Sequence, residues 1–214
     1  MKKSWLVFTI ALSLLLSACT FGESTDTQLS NVLSVVYEKE EGYRDAQEEL
    51  SELETQEQKT FNEVMELTQK DKEKVATLAN ELQTSVSKRL SLIEQETESM
   101  ESAEASLSAF EELLNDTKDE EIKSLLEELK EALNNRFDEH NLVTEEYLKL
   151  AELQQSLYEL LPNEETKQID LQDQVDLVNS QNEKVQSAIQ AFNESTQEVN
   201  RIKETIYSTL AAEN

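Results

Sequence analysis

The feature that most constrains the fold of this chain is a long stretch that almost lacks helix breakers and follows a heptad pattern. After residue 28 the sequence contains one glycine, Gly42, and one proline, Pro162. Its abundance of Leu, Glu, Gln and Lys is typical of coiled coils and long helical bundles. In the last segment, two sets of core positions interleave with spacings of three and four, the pattern of helices packed side by side. These positions are Leu171, Val178, Val185, Phe192, Val199 and Ile206, and between them Val175, Asn182, Ile189, Thr196, Lys203 and Leu210.

Three interruptions divide this stretch into four helical segments. Asp71 is a candidate cap for the second segment, and Thr117 with Glu120 has the spacing of a capping box for the third. Pro162 ends the third segment, because proline lacks an amide donor and clashes with the preceding turn. Asp170 is a good cap for the last segment. The predicted helices cover about residues 29–67, 72–114, 118–161 and 171–211.

Short connections between helices of similar length favour antiparallel neighbours. We therefore predict that residues 29–214 form a single all-α domain, an elongated antiparallel up-and-down bundle or coiled coil of three to four long helices. In an alternative arrangement the first two segments form one continuous helix, because the interruption near Asp71 is the weakest. Narrow apolar stripes of this kind are not expected to enclose a substrate cavity.

Polar residues interrupt these apolar stripes. Glu57 and Thr60 break the stripe of the first segment. Asn182, Thr196 and Lys203 occupy core positions of the last segment. Polar residues at such positions commonly specify register, so these three are expected to align the helices rather than to bind a ligand.

The first nineteen residues have the layout of a secretory leader. Lys2 and Lys3 precede the apolar run of residues 5–16. That run is too short to cross a bilayer core, which needs roughly 20 residues, but it suits the hydrophobic region of a signal peptide. It leads into Leu16-Ser17-Ala18-Cys19, which resembles the lipobox of bacterial lipoproteins.

The lipobox resemblance implies cleavage between Ala18 and Cys19 and a diacylglyceryl group on the Cys19 sulfur. Two acyl chains would supply the second hydrophobic signal that stable anchoring requires. Residues 1–18 are then a lipoprotein signal peptide and residues 19–28 a lipid-attached flexible tether. The mature protein is expected at the outer face of the cytoplasmic membrane. The alternative is an ordinary signal peptide that leaves Cys19 as a free thiol.

The charge of the chain restricts its partners. Loss of Lys2 and Lys3 with the leader changes the formal net charge from −27 to −29. Such an acidic surface repels nucleic acid, whose binding proteins neutralise phosphates with Lys and Arg, and it opposes adhesion to anionic lipid or anionic wall polymer. A charged partner should be cationic or bridged by divalent metal. The more general interpretation of this charge is solubility through self-repulsion.

The residue inventory excludes most catalytic chemistry. With Cys19 lipidated no thiol is left, and His140 is the single histidine, which we expect to be structural or solvent-facing. Two glycines are too few for phosphate-binding loops, and no calcium-loop motif is present. The acidic pairs are expected to be solvated helix faces, because nothing singles out two carboxylates for hydrolysis of wall glycan. We therefore predict no enzyme activity, catalytic residues, metal site, cofactor or small-molecule substrate.

Besides the lipobox, several local runs are distinctive: residues 48–54, residues 61–64, residues 156–161 and the asparagine-punctuated last helix, with Val178-Asn179, Asn182, Val185, Phe192-Asn193 and Thr196. Together they resemble the YkyA-type cell-wall-binding lipoproteins of Gram-positive bacteria. The resemblance spans nearly all of the mature chain. It implies an extracytoplasmic all-helical lipoprotein with a wall-associated role, and it transfers no catalytic motif. The small number of lysines argues against direct binding to an anionic wall polymer.

Two non-enzymatic functions follow. The first is a lipid-anchored cell-envelope protein that presents helical surfaces to a cell-wall component or an envelope protein. Such a protein has a binding or scaffold role. The second is an extracytoplasmic chaperone-like or carrier module for an apolar or peptidic ligand. The second requires a contiguous exposed apolar face, whereas the candidate exposed residues Tyr37, Leu126, Leu148 and Ile202 are scattered along the sequence.

Overall fold

A computed structural model describes residues 23–68 and 70–212, and within these ranges the chain is helical and contains no strand. The signal peptide, the cleavage site between Ala18 and Cys19, and Cys19 itself lie outside the described residues. The helices are α1 (Thr25–Lys39), α2 (Glu41–Glu66), α3 (Lys72–Ser106), α4 (Phe110–Asp116), α5 (Glu120–Leu160) and α6 (Gln168–Ala212), and a 3₁₀ turn, Leu107–Ala109, joins α3 to α4.

The helices form the predicted up-and-down bundle. Helices α1 and α2 make the first long segment and run from the proximal end, which contains Thr25, to the distal end, which contains Pro162. Helix α3 runs back to the proximal end and continues into α4. Helix α5 then runs to the distal end, and α6 runs back to the proximal end. Helix α2 packs along α3, α3 along α5, and α5 along α6. The alternative of one continuous helix is wrong, because α2 ends at Glu66 and α3 packs back against it.

The first long segment bends at Glu40, between α1 and α2. At this bend the Ser99 hydroxyl of α3 donates to the Lys39 carbonyl at 2.6 Å and accepts from the Tyr43 amide at 3.0 Å. A Cβ atom on Gly42 would lie 3.1 Å from the Ser99 Cβ, which is closer than ordinary van der Waals contact. The glycine therefore allows α2 and α3 to approach closely where the segment bends.

The cap of α5 differs from the predicted one, whereas Asp71 occupies the predicted cap position of α3 without a side-chain capping bond. Thr117 does not cap α5, because its hydroxyl donates to the Leu113 carbonyl at 2.7 Å and so belongs to the end of α4. Asp119 caps α5 instead, and its carboxylate accepts from the amides of Glu121 and Ile122, each at 2.9 Å. Asp71 does precede α3, but its carboxylate accepts from the Thr68 amide and hydroxyl in the turn.

Two helices begin before their predicted starts. Helix α1 begins at Thr25, within the stretch expected to be a flexible tether, and the fully buried Leu29 holds its first turns against the core. Helix α6 begins at Gln168, so Asp170 lies in its first turn and accepts from the Lys167 amide at 3.2 Å. Acidic residues in a first turn are favourable beside the positive end of the helix dipole.

The core consists of three apolar clusters along the bundle axis. The proximal cluster is the largest and includes Phe110, Phe137 and Phe192. The middle cluster contains Leu50 and Tyr147, and a third cluster fills the distal end. The heptad positions of α6 become less buried toward the distal end: Val185, Phe192, Val199 and Ile206 are buried, whereas Leu171, Val175 and Val178 are half-buried. Of the helices that the structure describes, none combines the length and apolar character needed to cross a membrane.

Candidate functional site

A buried arginine organises the middle of the bundle. Arg89, on α3, is 1% exposed, and its guanidinium forms a two-pronged ion pair with Glu57 of α2: Nε lies 3.0 Å from Oε2 and Nη2 2.8 Å from Oε1. The Tyr158 hydroxyl of α5 also donates to Glu57, at 2.7 Å. Glu57 was predicted as a break in the apolar stripe, and Arg89 was not singled out. Because the two residues lie in separate helices, no local sequence pattern indicates that they pair.

The same guanidinium reaches two further side chains of α5. Its Nη1 donates to the Tyr147 hydroxyl at 2.7 Å, and its Nη2 donates to the Gln154 Oε1 at 2.7 Å. Tyr147 in turn donates to Glu54 Oε1 at 2.6 Å, so the network reaches the half-exposed side chain of Glu54. We call these residues the distal network; they are Glu54, Glu57, Arg89, Tyr147, Gln154 and Tyr158.

Burial and charge act together on the titration of the distal network. Burial raises the pKa of the Tyr147 hydroxyl well above its ordinary value; Arg89 opposes this shift and Glu54 reinforces it. Burial likewise raises the pKa of Tyr158, and the neighbouring Glu57 carboxylate adds to the shift. Burial alone would lower the pKa of the Arg89 guanidinium, but Tyr147 and Glu57 outweigh it, and the net shift is upward. The network therefore keeps a charged arginine beside two protonated phenols.

A second network lies nearer the proximal end. Arg136 of α5 pairs with Glu40 at the α1–α2 bend, with Nη1 2.5 Å from Oε1, and its Nε donates to the Thr196 hydroxyl of α6 at 3.0 Å.

His140 Nε2 lies 2.6 Å from the Oε1 of Glu96, and both side chains are 1% exposed. The Phe192 ring packs edge-on against the His140 ring. His140 is thus a buried structural residue rather than a solvent-facing one, and this network ties the helices together beneath aromatic rings.

An open cleft lies between α2 and α6 above the distal network. Helix α6 packs along α5 but makes few close approaches to α2. The cleft has a volume of about 340 Å³ and is open to solvent, so it differs from the closed substrate cavity that the sequence argued against. Arg89, Glu57, Glu54 and the two tyrosines line its floor. The walls are Gln58 and Phe61 on α2, Leu150, Gln154 and Leu157 on α5, and Val175, Val178, Asn179, Asn182, Val185, Gln186 and Ile189 on α6.

The polar core positions of α6 have separate roles. Thr196 is half-buried and bonded to Arg136, in keeping with the predicted register role. Asn182 is exposed and lines the cleft, so its assignment as a buried register residue is wrong. The prediction failed because the heptad pattern continues along α6 while the facing helix α2 lies too far away to cover it. Lys203 is half-buried, and no described contact assigns it a role.

The cleft is lined by side chains that can form hydrogen bonds with a ligand. Carboxamide side chains can donate and accept, and those of Asn179, Asn182 and Gln186 are exposed on α6. The ionisable lining residues with formal charge are Arg89, Glu54 and Glu57, which leaves one excess negative charge. Within residues 23–68 and 70–212, no group of three or more His, Cys, Asp or Glu side chains is placed to hold a metal ion.

The apolar residues considered for a chaperone-like module differ in their exposure. Leu126 and Ile202, predicted to be exposed, are buried in the proximal cluster. Tyr37 and Leu148 are exposed as expected. Other exposed apolar residues are spread over four helices; they are Val35, Met65, Leu142, Ile169, Leu177 and Tyr207.

Comparison with known proteins points to one family. A family model described as "Putative cell-wall binding lipoprotein" matches residues 24–209. A relative from Bacillus subtilis (strain 168), described as "Uncharacterized lipoprotein YkyA", is 29% identical over 197 residues, which cover 92% of this chain and 88% of the relative.

The fold also resembles a solved structure. The 1.6 Å crystal structure of a conserved protein of unknown function from Staphylococcus aureus superimposes with a TM-score of 0.75, covering 86% of this chain and 91% of that chain. The sequence identity is 14%, so this similarity concerns the fold alone.

Proposed function

Because this chain belongs to the YkyA family of lipoproteins, we propose that it is a lipid-anchored protein of the cell envelope that binds a cell-wall component without chemically altering it. Its anchor is the diacylglyceryl group on Cys19, and the protein lies at the outer face of the cytoplasmic membrane. The lipobox, Leu16-Ser17-Ala18-Cys19, supports the anchor. The family description supports an association with the wall.

The length of the bundle suits a protein that reaches outward from a membrane. From Thr25 to Glu57 the chain is helical apart from the bend at Glu40, and at 1.5 Å per residue this distance is about 48 Å. The anchor precedes α1, so a bundle that stands upright on it would hold the cleft well above the membrane surface. A ligand held there would be part of the wall rather than a lipid headgroup.

The cleft between α2 and α6 is the observation that carries the proposal. Binding sites are commonly concave, with apolar walls and a few placed polar groups, and have volumes of about 300–1,000 Å³. This cleft has such a volume and lining. A buried ion pair fixes its floor, since Glu57 and Arg89 are held from three helices. A fixed floor lowers the entropy cost of binding, because the site is ordered before the ligand arrives.

Support for a non-enzymatic role comes from the same residues. Glu57 accepts hydrogen bonds from Arg89 and Tyr158, and Glu54 accepts one from Tyr147. A glycosidase needs one carboxylic acid that holds a proton for the leaving group and a second carboxylate beside it. Here both carboxylate oxygens of Glu57 accept hydrogen bonds from Arg89, so this side chain is engaged within the network. We therefore propose binding rather than hydrolysis.

Sedimentation with purified wall sacculi tests this proposal. The mature chain carrying Cys19→Ser, which has no anchor, is mixed with sacculi before and after removal of their anionic polymers, and with or without divalent cations. We expect sedimentation with both preparations, because the acidic surface disfavours the anionic polymers as ligands. A chain that stays in the supernatant under every condition would contradict wall binding.

A further inference from the structure

We propose that the cleft between α2 and α6 binds a short peptide in extended conformation that carries a free amino group. The inference rests on the proposed function, because it takes the cleft as the binding site. It specifies the chemistry of the ligand: a peptide rather than a glycan, and a cationic group rather than an anionic one.

The shape of the cleft favours a single extended chain. Its α6 wall runs from Val175 to Ile189, a length of about 21 Å at 1.5 Å per residue. The opposite wall on α2 runs from Glu54 to Phe61, a length of about 10 Å. At a rise of about 3.3 Å per residue, an extended peptide of about six residues would span the α6 wall.

The rims of the cleft offer hydrogen-bonding groups that match a peptide backbone. Asn179, Asn182 and Gln186 follow one another along one side of α6, and Gln58 lies opposite on α2. Helical rise separates the first two by about 4.5 Å and the next two by about 6 Å along the axis. A carboxamide donates and accepts, as a peptide amide does. All three α6 side chains are exposed, and none is hydrogen-bonded to another described residue.

Apolar side chains lie below this row. Val178 and Val185 of α6 and Leu150 of α5 face the cleft beneath the carboxamides. Side chains of an extended peptide alternate between its two faces. One face of the ligand can therefore bury aliphatic groups while its backbone contacts the rims.

The charges of the cleft favour an amino group. Arg89 forms two hydrogen bonds with Glu57 and lies 3.8 Å from the Oε1 of Glu54, so these three side chains together leave one excess negative charge. The Glu54 side chain is 48% exposed, and only its Oε1 accepts from Tyr147. An ammonium group can approach the remaining oxygen. The formal net charge of −29 on the mature chain attracts such a ligand and repels a phosphate-bearing one.

Titration calorimetry on the mature Cys19→Ser chain tests the proposal with three probes. The first is the blocked hexapeptide acetyl-Ala-Ala-Lys-Ala-Ala-Ala-amide, the second is the same peptide with its lysine acetylated, and the third is a hexamer of N-acetylglucosamine. We expect saturable binding of the first, binding weaker by about tenfold for the second because the charge pair is lost, and no binding of the third. Binding of the glycan in preference to the lysine peptide, or no binding of either peptide, would overturn the proposal.

Two variants assign the binding to the cleft. Glu54→Gln keeps an acceptor for Tyr147 and removes the charge. It should therefore weaken binding of the lysine peptide by about tenfold and leave binding of the acetylated peptide unchanged. Replacing Asn179, Asn182 and Gln186 together by Ala should weaken both peptides. The matched control replaces Asn193, Asn200 and Gln197 by Ala, which removes two asparagines and one glutamine that are also exposed on α6 but do not line the cleft. Equal effects of the two triple variants would contradict the assignment.

Sacculi distinguish failure of this inference from failure of the proposed function. If the ligand is a wall peptide, acetylating the free amino groups of the sacculi should weaken their binding of the chain by about tenfold. If acetylated sacculi bind it as tightly as untreated ones, the wall is bound through another group and the peptide inference is wrong, while wall binding stands. If the lysine peptide binds but untreated sacculi do not, the cleft serves a soluble peptide and the wall function is wrong.

Discussion

The distal network shows what a single buried charge requires of its neighbours. Removing one partner of a buried ion pair typically costs about 3–5 kcal/mol, because the other charge is left uncompensated. Arg89→Met should therefore lower the free energy of unfolding by about that amount, since Glu57 is only 5% exposed. Urea unfolding followed by circular dichroism measures the change.

The control for Arg89 is an arginine paired at the surface. Arg201 contacts Glu198 one turn away, and both side chains are about half exposed. Exposed pairs contribute little to stability. Arg201→Met should leave the urea midpoint where it was. If both variants unfold at the same urea concentration, the buried pair does not have the role assigned to it.

The two tyrosines of the distal network predict the response of the protein to alkali. Their pKa values in the folded chain lie above the ordinary value near 10. A raised pKa contributes stability that is fully present below the unfolded value and is lost as pH rises toward the folded value. The free energy of unfolding should therefore fall as pH rises above about 10.

Urea titrations at pH 8 and at pH 11 measure this slope. The double variant Tyr147→Phe/Tyr158→Phe lacks the two titrating groups, so it should lose less stability between the two pH values than the parent does. A parent and a variant with the same pH dependence would show that other groups control alkaline unfolding.

At the scale of the element, α6 has two halves with different surroundings. Its proximal half packs into the largest cluster, where Phe192 is 7% exposed and contacts the rings of Tyr43 on α2 and His140 on α5. This confirms the core position that the heptad pattern predicts for Phe192. Its distal half is covered on the α5 side and open toward α2.

Truncating Phe192 should therefore destabilise the whole bundle. Phe to Ala changes in cores typically cost about 3–5 kcal/mol through lost burial and a residual cavity. Phe192→Ala should lower the urea midpoint of the entire transition, because one continuous cluster joins α6 to α1, α4 and α5. Glu194→Gln, two residues away and exposed, should not. Loss of helical signal from the end of α6 alone, with the main transition unchanged, would contradict this account.

At the scale of the whole molecule, the position of the protein in the cell depends on Cys19. Cys19→Ser removes the sulfur that would carry the acyl chains, so the mature protein should move from the membrane fraction to the medium, or uncleaved precursor should accumulate. Cell fractionation and immunoblotting measure this. A variant that is processed and fractionates like the parent would show that Cys19 is not the anchor.

The overall fold follows from information that is local in the sequence. The heptads of α6, the stop at Pro162 and the near-absence of glycine predict long helices and their connections, because helix periodicity and breakers act within a few residues. Errors at the helix ends, such as Thr117 in place of Asp119, arise because neighbouring polar residues compete for the same capping position and the surrounding packing selects one.

The candidate site depends on distances that no local pattern encodes. Arg89 meets Glu57 and Tyr147 across 32 and 58 residues of sequence, and only the packing of α2, α3 and α5 brings them together. Asn182 occupies a heptad position like that of Ile189, yet it is exposed because α2 and α6 diverge at that level. The sequence by itself determined which segments are helical and which of their faces are apolar. The tertiary structure decided which helices touch, and therefore where the bundle stays open.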